Sequence, residues 1–116
     1  MQTDDIKALV FDALDDMKAQ NITTLDVRGR TSVTDWMIIA TGTSNRHVAA
    51  VIANVEEKAK HAGLKINGTE GRAAADWVLL DLIDVVVHVM TDQARHFYDL
   101  ERLWGEPNDS EGSQAQ

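Results

Sequence analysis

The amino-acid sequence predicts a single α/β domain in which helices flank a mixed β-sheet. Its 116 residues match the length of one domain. Segments with helical spacing of apolar residues alternate with short segments rich in β-branched residues. A valine-rich stretch in the second half, residues 75–90, has the length and composition of two consecutive strands. The resulting order is helix, strand, strand, helix, strand, hairpin and helix, which is typical of a mixed sheet.

The first third of the chain predicts one helix and two strands. In "TDDIKALVFDALDDMKAQN" the apolar residues recur at helical spacing, Thr3 is a candidate N-cap and Asn21 a candidate stop. "ITTLDV" predicts a strand, and Gly29 in "RGRTS" can take the positive φ of a turn. The continuous apolar run "DWMIIAT" predicts a strand that is buried on both faces.

The second helix begins after "GTS", where Thr43 or Ser44 can cap it, and Gly63 supplies its end. Its predicted buried stripe consists of Val48, Val51, Ile52, Val55 and Ala59. "LKING" predicts a short strand. "DQARHFYDLERLW" predicts a last helix with Phe97, Leu100 and Trp104 on one side. The domain is expected to span residues 1–105, and residues 106–116, without apolar periodicity, are expected to form a disordered acidic tail.

The valine-rich stretch "ADWVLLDLIDVVVHVM" is unusual because four ionisable residues interrupt it: Asp76, Asp81, Asp84 and His88. A two-residue turn at Leu82–Ile83 would pair Trp77 with His88 and Asp81 with Asp84. Because side chains alternate between the faces of a strand, one face then carries only Val78, Leu80, Val85, Val87 and Val89. The other face is mixed and carries Trp77, Leu79, Asp81, Asp84, Val86, His88 and Met90.

The aliphatic face of this hairpin predicts packing under the helices. The mixed face combines a large aromatic residue, a methionine, an imidazole and carboxylates, a composition that favours a protein-binding surface. A second interpretation stays open from the residues alone. In it, Leu79 and Met90 pack under a loop, and His88 is hydrogen-bonded to Asp81 or Asp84 inside the fold.

Charge and composition restrict the classes of partner. The formal net charge of −8 disfavours nonspecific nucleic-acid binding, so little direct contact with RNA is expected. The same charge favours a basic partner, although solubility alone also explains it. The chain has no cysteine, its first residues are acidic, and it has no long apolar run. These observations predict a cytoplasmic protein with no membrane partner.

Three segments closely resemble the ribosomal silencing factor family, also called the Iojap-related family: "DWMIIATGTSNRHV", "GLKINGTEGRAAADWVLLDLIDVVVHVM" and "ARHFYDLERLWG". The resemblance extends from Asp5 to about Gly105, with the motifs in the family's order. It implies a nucleotidyltransferase-like α/β fold without catalysis and without a cofactor. It also implies binding to the large ribosomal subunit through ribosomal protein fourteen of that subunit. Such binding blocks subunit joining and represses translation when nutrients are short.

The resemblance assigns partner contacts to seven residues of this chain: Trp77, Asp81, Asp84, His88, Met90, Tyr98 and Trp104. One position departs from the family, whose members usually carry glycine where this chain has Ile83. A positive φ at an isoleucine costs roughly 1–2 kcal/mol, so a longer turn is an alternative that would shift the cross-strand pairs. Whether the free protein forms a homodimer is left open by the sequence.

A nucleotide-binding or nucleotidyltransferase-like enzyme is the alternative function. "ATGTSNRH" follows a buried strand and opens a helix, whose N-terminal N–H groups can bind phosphate. However, the P-loop and spaced-glycine patterns are absent, and no Asp-x-Asp pair follows the loop to hold Mg²⁺. Asp81 and Asp84 are the remaining carboxylates, and they flank a turn. The four histidines lie in separate predicted elements, so no metal site is predicted.

Overall fold

The computed structural model describes residues 2–30, 32 and 34–99. Their elements are α1 (Thr3–Asp16), β1 (Gln20–Asp26), β2 (Trp36–Gly42), α2 (Asn45–His61), β3 (Gly68–Glu70), β4 (Trp77–Asp81), β5 (Val85–Thr91) and α3 (Asp92–Tyr98). This order is the predicted one, and the α/β class with a mixed sheet is confirmed.

The five strands form one sheet in the order β1-β2-β5-β4-β3. β2 and β5 run parallel, and every other neighbouring pair is antiparallel. The central strand of the sheet, β5, is also the last of the described strands in chain order. β2 is buried along nearly its whole length, as its continuous apolar sequence predicts.

One face of the sheet is covered by α1 and α2, and the main hydrophobic core lies there. The predicted apolar face of the hairpin is confirmed: Val78, Leu80, Val85, Val87 and Val89 are all fully buried in this core. The predicted stripe of α2 packs against them, from Val48 to Ala59. Each such side chain contributes roughly 1.5–3 kcal/mol through removal of apolar area from water.

The opposite face carries a second, smaller hydrophobic cluster formed by Ile39, Met90 and Ala94. Ala94 belongs to α3, which contacts β2 and β5 on this side. Arg95 fixes α3 across the sheet, because its guanidinium donates to Thr41 Oγ1 and Thr23 Oγ1, each at 2.9 Å. The short helix α3 thus covers one end of the face that the sequence predicts as mixed.

The cross-strand register of the hairpin differs from the predicted one by two residues. Trp77 lies opposite Met90, and Asp81 lies opposite Val86, so the predicted pairs Trp77–His88, Leu79–Val86 and Asp81–Asp84 are wrong. The shift is an even number, so the side chains stay on their predicted faces. Asp84 is the exception, because it lies in the turn and not on β5.

The turn explains the shift. Leu82, Ile83 and Asp84 form a three-residue connection in which Asp84 N donates to Leu82 O at 3.0 Å and Leu82 N donates to Val85 O at 2.9 Å. Ile83 has φ 76°, so the predicted positive φ is confirmed, within a γ-turn. Leu82 therefore lies opposite Val85, and the turn is centred on Ile83 and Asp84, one residue later than predicted. This displacement of the turn moves every cross-strand pair by two residues.

Two further predictions gave the wrong residues for the bounds of an element. The segment "LKING" is not a strand; β3 begins only at Gly68. Leu64 and Ile66 pack against the core without joining the sheet, so their alternation marks burial and not pairing. The helix α1 is capped at Gln2, whose N–H donates to the Asp5 carboxylate at 3.2 Å, and it ends at Asp16, before the predicted stop.

Candidate partner-binding surface

Three aromatic side chains gather where β4 begins and α3 ends, and we call Trp77, Phe97 and Tyr98 the aromatic cluster. The Trp77 and Tyr98 rings lie 4.5 Å apart between centroids, and the Tyr98 and Phe97 rings meet edge to face at 5.0 Å. Phe97 is 80% exposed and Tyr98 is 46% exposed, whereas Trp77 is half-buried. Large exposed aromatic residues that are held by one another are typical of binding hot spots.

His88 orients the indole of Trp77 from below. The Trp77 Nε1–H donates to His88 Nδ1 at 3.0 Å. The second interpretation considered above, a hydrogen bond from His88 to Asp81 or Asp84, is wrong, because the partner of His88 is the tryptophan. Since an indole N–H can only donate, Nδ1 must carry the lone pair, and a neutral His88 bears its proton on Nε2.

His88 is held in its neutral form by its surroundings. The side chain is 3% exposed, and burial lowers its pKa from 6.5 to about 4. Within the described residues, Nε2 has no hydrogen-bond partner. A protonated His88 would lose its acceptor for the Trp77 N–H, so the orientation of the indole depends on the neutral imidazole.

Met90 lies beneath the aromatic cluster and is fully buried with Ile39 and Ala94. It follows that Met90 supports Trp77 from the hydrophobic side, and its side chain is not itself an exposed contact. The sequence does not show this, because the packing of α3 on β5 cannot be deduced from periodicity within either element.

The two carboxylates at the turn have separate surroundings. Asp81 is engaged inside the chain: its Oδ1 accepts from Ile83 N at 2.8 Å and its Oδ2 accepts from Asn67 Nδ2 at 3.0 Å. Asp84 is exposed, and its backbone oxygen accepts from Trp36 N at 3.2 Å. Trp104 lies outside the described residues. The structure therefore brings Trp77, His88, Met90 and Tyr98 together and places both carboxylates at the opposite end of the hairpin.

The loop between β3 and β4 determines where Trp77 lies. Residues 71–76 connect β3 with β4, and Asn45 Nδ2 at the start of α2 donates to Ala74 O at 2.8 Å. Gly71 has φ 90°, and a Cβ on it would lie 2.2 Å from Trp77 O. The loop thus passes so close to the tryptophan backbone that only glycine fits.

A cleft of about 700 Å³ opens beside the aromatic cluster, at the carboxyl ends of β2 and β5. The charged residues among its described lining are Asp76 and Asp92, which oppose an anionic ligand. At the start of α2, Ser44 Oγ already accepts from His47 N at 3.1 Å, and His47 Nδ1 accepts from Thr43 N at 2.9 Å. These contacts do not favour the phosphate-binding alternative.

No three histidine, aspartate or glutamate side chains within residues 2–30, 32 and 34–99 come together in a way that would hold a metal ion. None of the helices in the same residues is long and apolar enough to cross a membrane.

Comparisons with known proteins identify relatives over nearly the whole chain. A family model described as "Ribosomal silencing factor during starvation" matches residues 1–116. The ribosomal silencing factor of Chromobacterium violaceum is 47% identical over 105 residues, which are 90% of this chain and 86% of that protein. The Haemophilus influenzae counterpart is 45% identical over 95 residues, covering 82% of this chain and 93% of its own.

One more distant relative and one solved structure extend the comparison. A mouse protein named mitochondrial assembly of ribosomal large subunit protein 1 is 33% identical over 89 residues, 74% of this chain and 39% of its own length. A crystal structure of a Chromobacterium violaceum protein matches with a TM-score of 0.89 at 47% identity, covering 90% of this chain and 88% of that one. The chain belongs to the ribosomal silencing factor family.

Proposed function

We propose that this protein binds the large ribosomal subunit through ribosomal protein fourteen, and that it thereby blocks subunit joining and represses translation under nutrient limitation. It acts in the cytoplasm as a binding protein, without catalysis and without a cofactor. Membership of the ribosomal silencing factor family supports the proposal. The name of the mouse relative, which refers to assembly of the ribosomal large subunit, supports the choice of subunit.

The observation that carries the proposal is the aromatic cluster on an acidic protein. Trp77 is half-buried, hydrogen-bonded to His88 and in tilted ring contact with Tyr98, so its orientation is fixed before a partner binds. A preorganised tryptophan loses little conformational entropy on binding. The net charge of −8 attracts the basic surface expected of a ribosomal protein.

The candidate residues take different roles in this proposal. Trp77 and Tyr98 contact the partner, and His88 and Met90 hold Trp77 from beneath. Asp84 contributes an exposed charge in the turn at the far end of the hairpin, beyond Leu82, which is itself roughly 17 Å along the strand from Trp77. A standard interface of about 800 Å² per partner is wide enough to include both ends.

Asp81 shapes the turn in this proposal, because its carboxylate is already hydrogen-bonded within the chain. The assignment of Trp104 to the partner contact stays a prediction from the family motif. The nucleotidyltransferase-like description of the fold also stays a prediction.

Sedimentation of the purified protein with separated ribosomal subunits tests the proposal. We expect the protein to migrate with the large subunit and to reduce the formation of joined ribosomes when the small subunit is added. Migration with the small subunit alone would contradict it. Sedimentation of the free protein in the same gradients shows whether it is a monomer or a homodimer.

Isothermal titration with Mg·ATP and Mg·GTP tests the alternative enzyme function. We expect no heat of binding, because Asp76 and Asp92 are the charged residues of the described cleft lining. Nucleotide binding that is lost on Ser44→Ala would favour the enzyme instead.

A further inference from the structure

Glu56 is the one carboxylate that is buried in the described part of the chain, with 9% of its surface exposed. It lies on α2, on the helix-covered side of the sheet, beside the edge strand β3. A charged group in such a place must be hydrogen-bonded, because taking a carboxylate out of water is unfavourable. The partners that it finds are therefore informative.

Both oxygens of Glu56 are used to hold the segment that precedes Trp77. Thr69 Oγ1 on β3 donates to Glu56 Oε2 at 2.7 Å. Arg72 Nη2, in the loop 71–76, donates to Glu56 Oε1 and forms an ion pair with it. One side chain of α2 thus fixes both the strand before the loop and the beginning of the loop.

Further contacts of the loop connect its beginning, which Glu56 holds, with Trp77. Ala75 N donates to Gly71 O at 2.9 Å and closes the loop on itself, with Ala75 at φ 58°. The backbone of Gly71 lies directly against Trp77 O. Thr91 N donates to Asp76 O at 2.9 Å, which ties the end of the loop to β5.

Net stability does not account for the ion pair between the buried Glu56 and the half-exposed Arg72. The desolvation of a buried carboxylate offsets much of its attraction to an arginine, and well-packed apolar residues are often as stabilising. Arg72 is also half-exposed, with 55% of its side chain in contact with water. A charged group that contributes little to net stability is well suited to fix one arrangement of a loop.

We propose that Glu56 is a positioning residue, which acts from the helix-covered side through Thr69, Arg72 and the loop 71–76 to set the orientation of Trp77. The expected effect on ribosome binding rests on the function proposed above. The effect on Trp77 itself does not, and it is measured on the protein alone.

The indole N–H resonance of Trp77 in a ¹⁵N-correlated NMR spectrum reads out its orientation, and Trp77→Phe assigns it. Glu56→Ala and Arg72→Met should each shift or broaden this resonance, and Glu56→Gln, which keeps one acceptor, should restore it in part. Asn54→Ala is the matched control, because Asn54 Nδ2 on the same helix donates to Ala13 O at 2.8 Å and does not touch the loop. It should leave the Trp77 resonance in place.

Arg72→Met keeps the test decisive where Glu56→Ala fails to fold. Arg72 is half-exposed, so its replacement opens no cavity, and Glu56 keeps its hydrogen bond from Thr69 Oγ1. An unchanged Trp77 resonance in Arg72→Met overturns the positioning role. So does an equal change in Asn54→Ala, which would indicate a general loosening of α2.

Binding to the large subunit then separates the two proposals. Arg72→Met should weaken binding about tenfold, and the same change in a Trp77→Ala background should add little, because coupled residues are not additive. Additive effects would overturn the action through Trp77. If the wild-type protein does not bind the large subunit, the proposed function is wrong. If the Trp77 resonance still moves in Arg72→Met, the positioning role is supported whether or not the protein binds the ribosome.

Discussion

The two faces of the β4–β5 hairpin are built from the same strands but place different requirements on their side chains. The face under α1 and α2 is entirely aliphatic and fully buried. The other face carries Trp77 hydrogen-bonded to His88 over the buried Met90, and beside it the exposed Phe97 and Tyr98. The first face needs only volume and apolar character, whereas the second needs particular atoms in particular directions. We therefore expect substitutions on the first to change stability and substitutions on the second to change binding.

The largest expected effect is on the helix-covered face. Leu80→Ala removes a fully buried side chain and should lower the free energy of unfolding by about 2–5 kcal/mol. Leu79→Ala is the matched control, because Leu79 is its half-buried neighbour on the other face and should lose less than half as much. Urea denaturation measures both. Equal losses would mean that the two faces are packed alike.

The second prediction concerns His88 and pH. Its folded-state pKa of about 4 lies below the ordinary 6.5, so the unfolded chain binds the extra proton first. The stabilisation is complete above about pH 6.5 and is lost as the pH falls toward 4, by about 2–3 kcal/mol. Unfolding measured between pH 7 and 4 should show this loss, and His88→Leu should remove that dependence.

The titration of Asp26 can be distinguished from that of His88, because it occurs at lower pH. Arg28 holds the pKa of Asp26 at about 2, below its ordinary 3.8. Its contribution is therefore present above the ordinary value and disappears only as the pH falls from about 4 toward 2. A loss of stability confined to pH below 4 would assign the effect to carboxylates such as Asp26, and not to His88.

The third prediction tests the binding face directly. Trp77→Ala should weaken binding to the large subunit by about 2 kcal/mol. It should also reduce stability by about 1 kcal/mol, since it leaves His88 Nδ1 without its donor. Trp36→Ala is the control, because Trp36 is also half-buried and lies at the other end of the sheet with Lys7 Nζ 3.5 Å above its ring. It should affect stability and leave binding unchanged; equal losses of binding would refute the assignment.

The smallest expected effect lies at the turn that joins the two strands. Ile83→Gly should stabilise the protein by about 0.5–1 kcal/mol, because glycine adopts a φ of 76° without strain. Ile83→Ala is the control, since it removes the half-exposed side chain but keeps the strain. Thermal unfolding of the three proteins distinguishes them. A destabilised glycine variant would show that contacts of the Ile83 side chain outweigh its backbone strain.

The sequence predicts the order of the elements and the composition of each hairpin face, because these depend on local periodicity. The stripe of α2 and the aliphatic face follow directly from spacing. The register does not, because it depends on which residues occupy the turn. No local pattern shows that the turn is centred on Ile83 and Asp84 and not on Leu82 and Ile83. The strand at Gly68–Glu70 is missed for a similar reason, since Leu64 and Ile66 have the apolar pattern without the pairing.

The site is predictable in its residues but not in their roles. The pairing of Trp77 with His88 follows from their shared face, although they are diagonal and not opposite neighbours. The burial of Met90 depends on α3, and the role of Glu56 depends on Arg72 sixteen positions later. These contacts join different elements of the fold, and a local sequence pattern does not show how such elements lie relative to one another.

The strand order also has a consequence for how the chain is made. The central strand, β5, is the last of the five described strands to be synthesised, so β2 has only β1 as a neighbour until Val85–Thr91 has emerged. During that interval Ile38 and Ile39 lack the strand that completes their sheet. Closing the sheet requires contacts between distant parts of the chain, which form slowly. Nascent chains that stop before β5 should therefore remain open and bind chaperones, while chains that include it should become protease-resistant in a single late step.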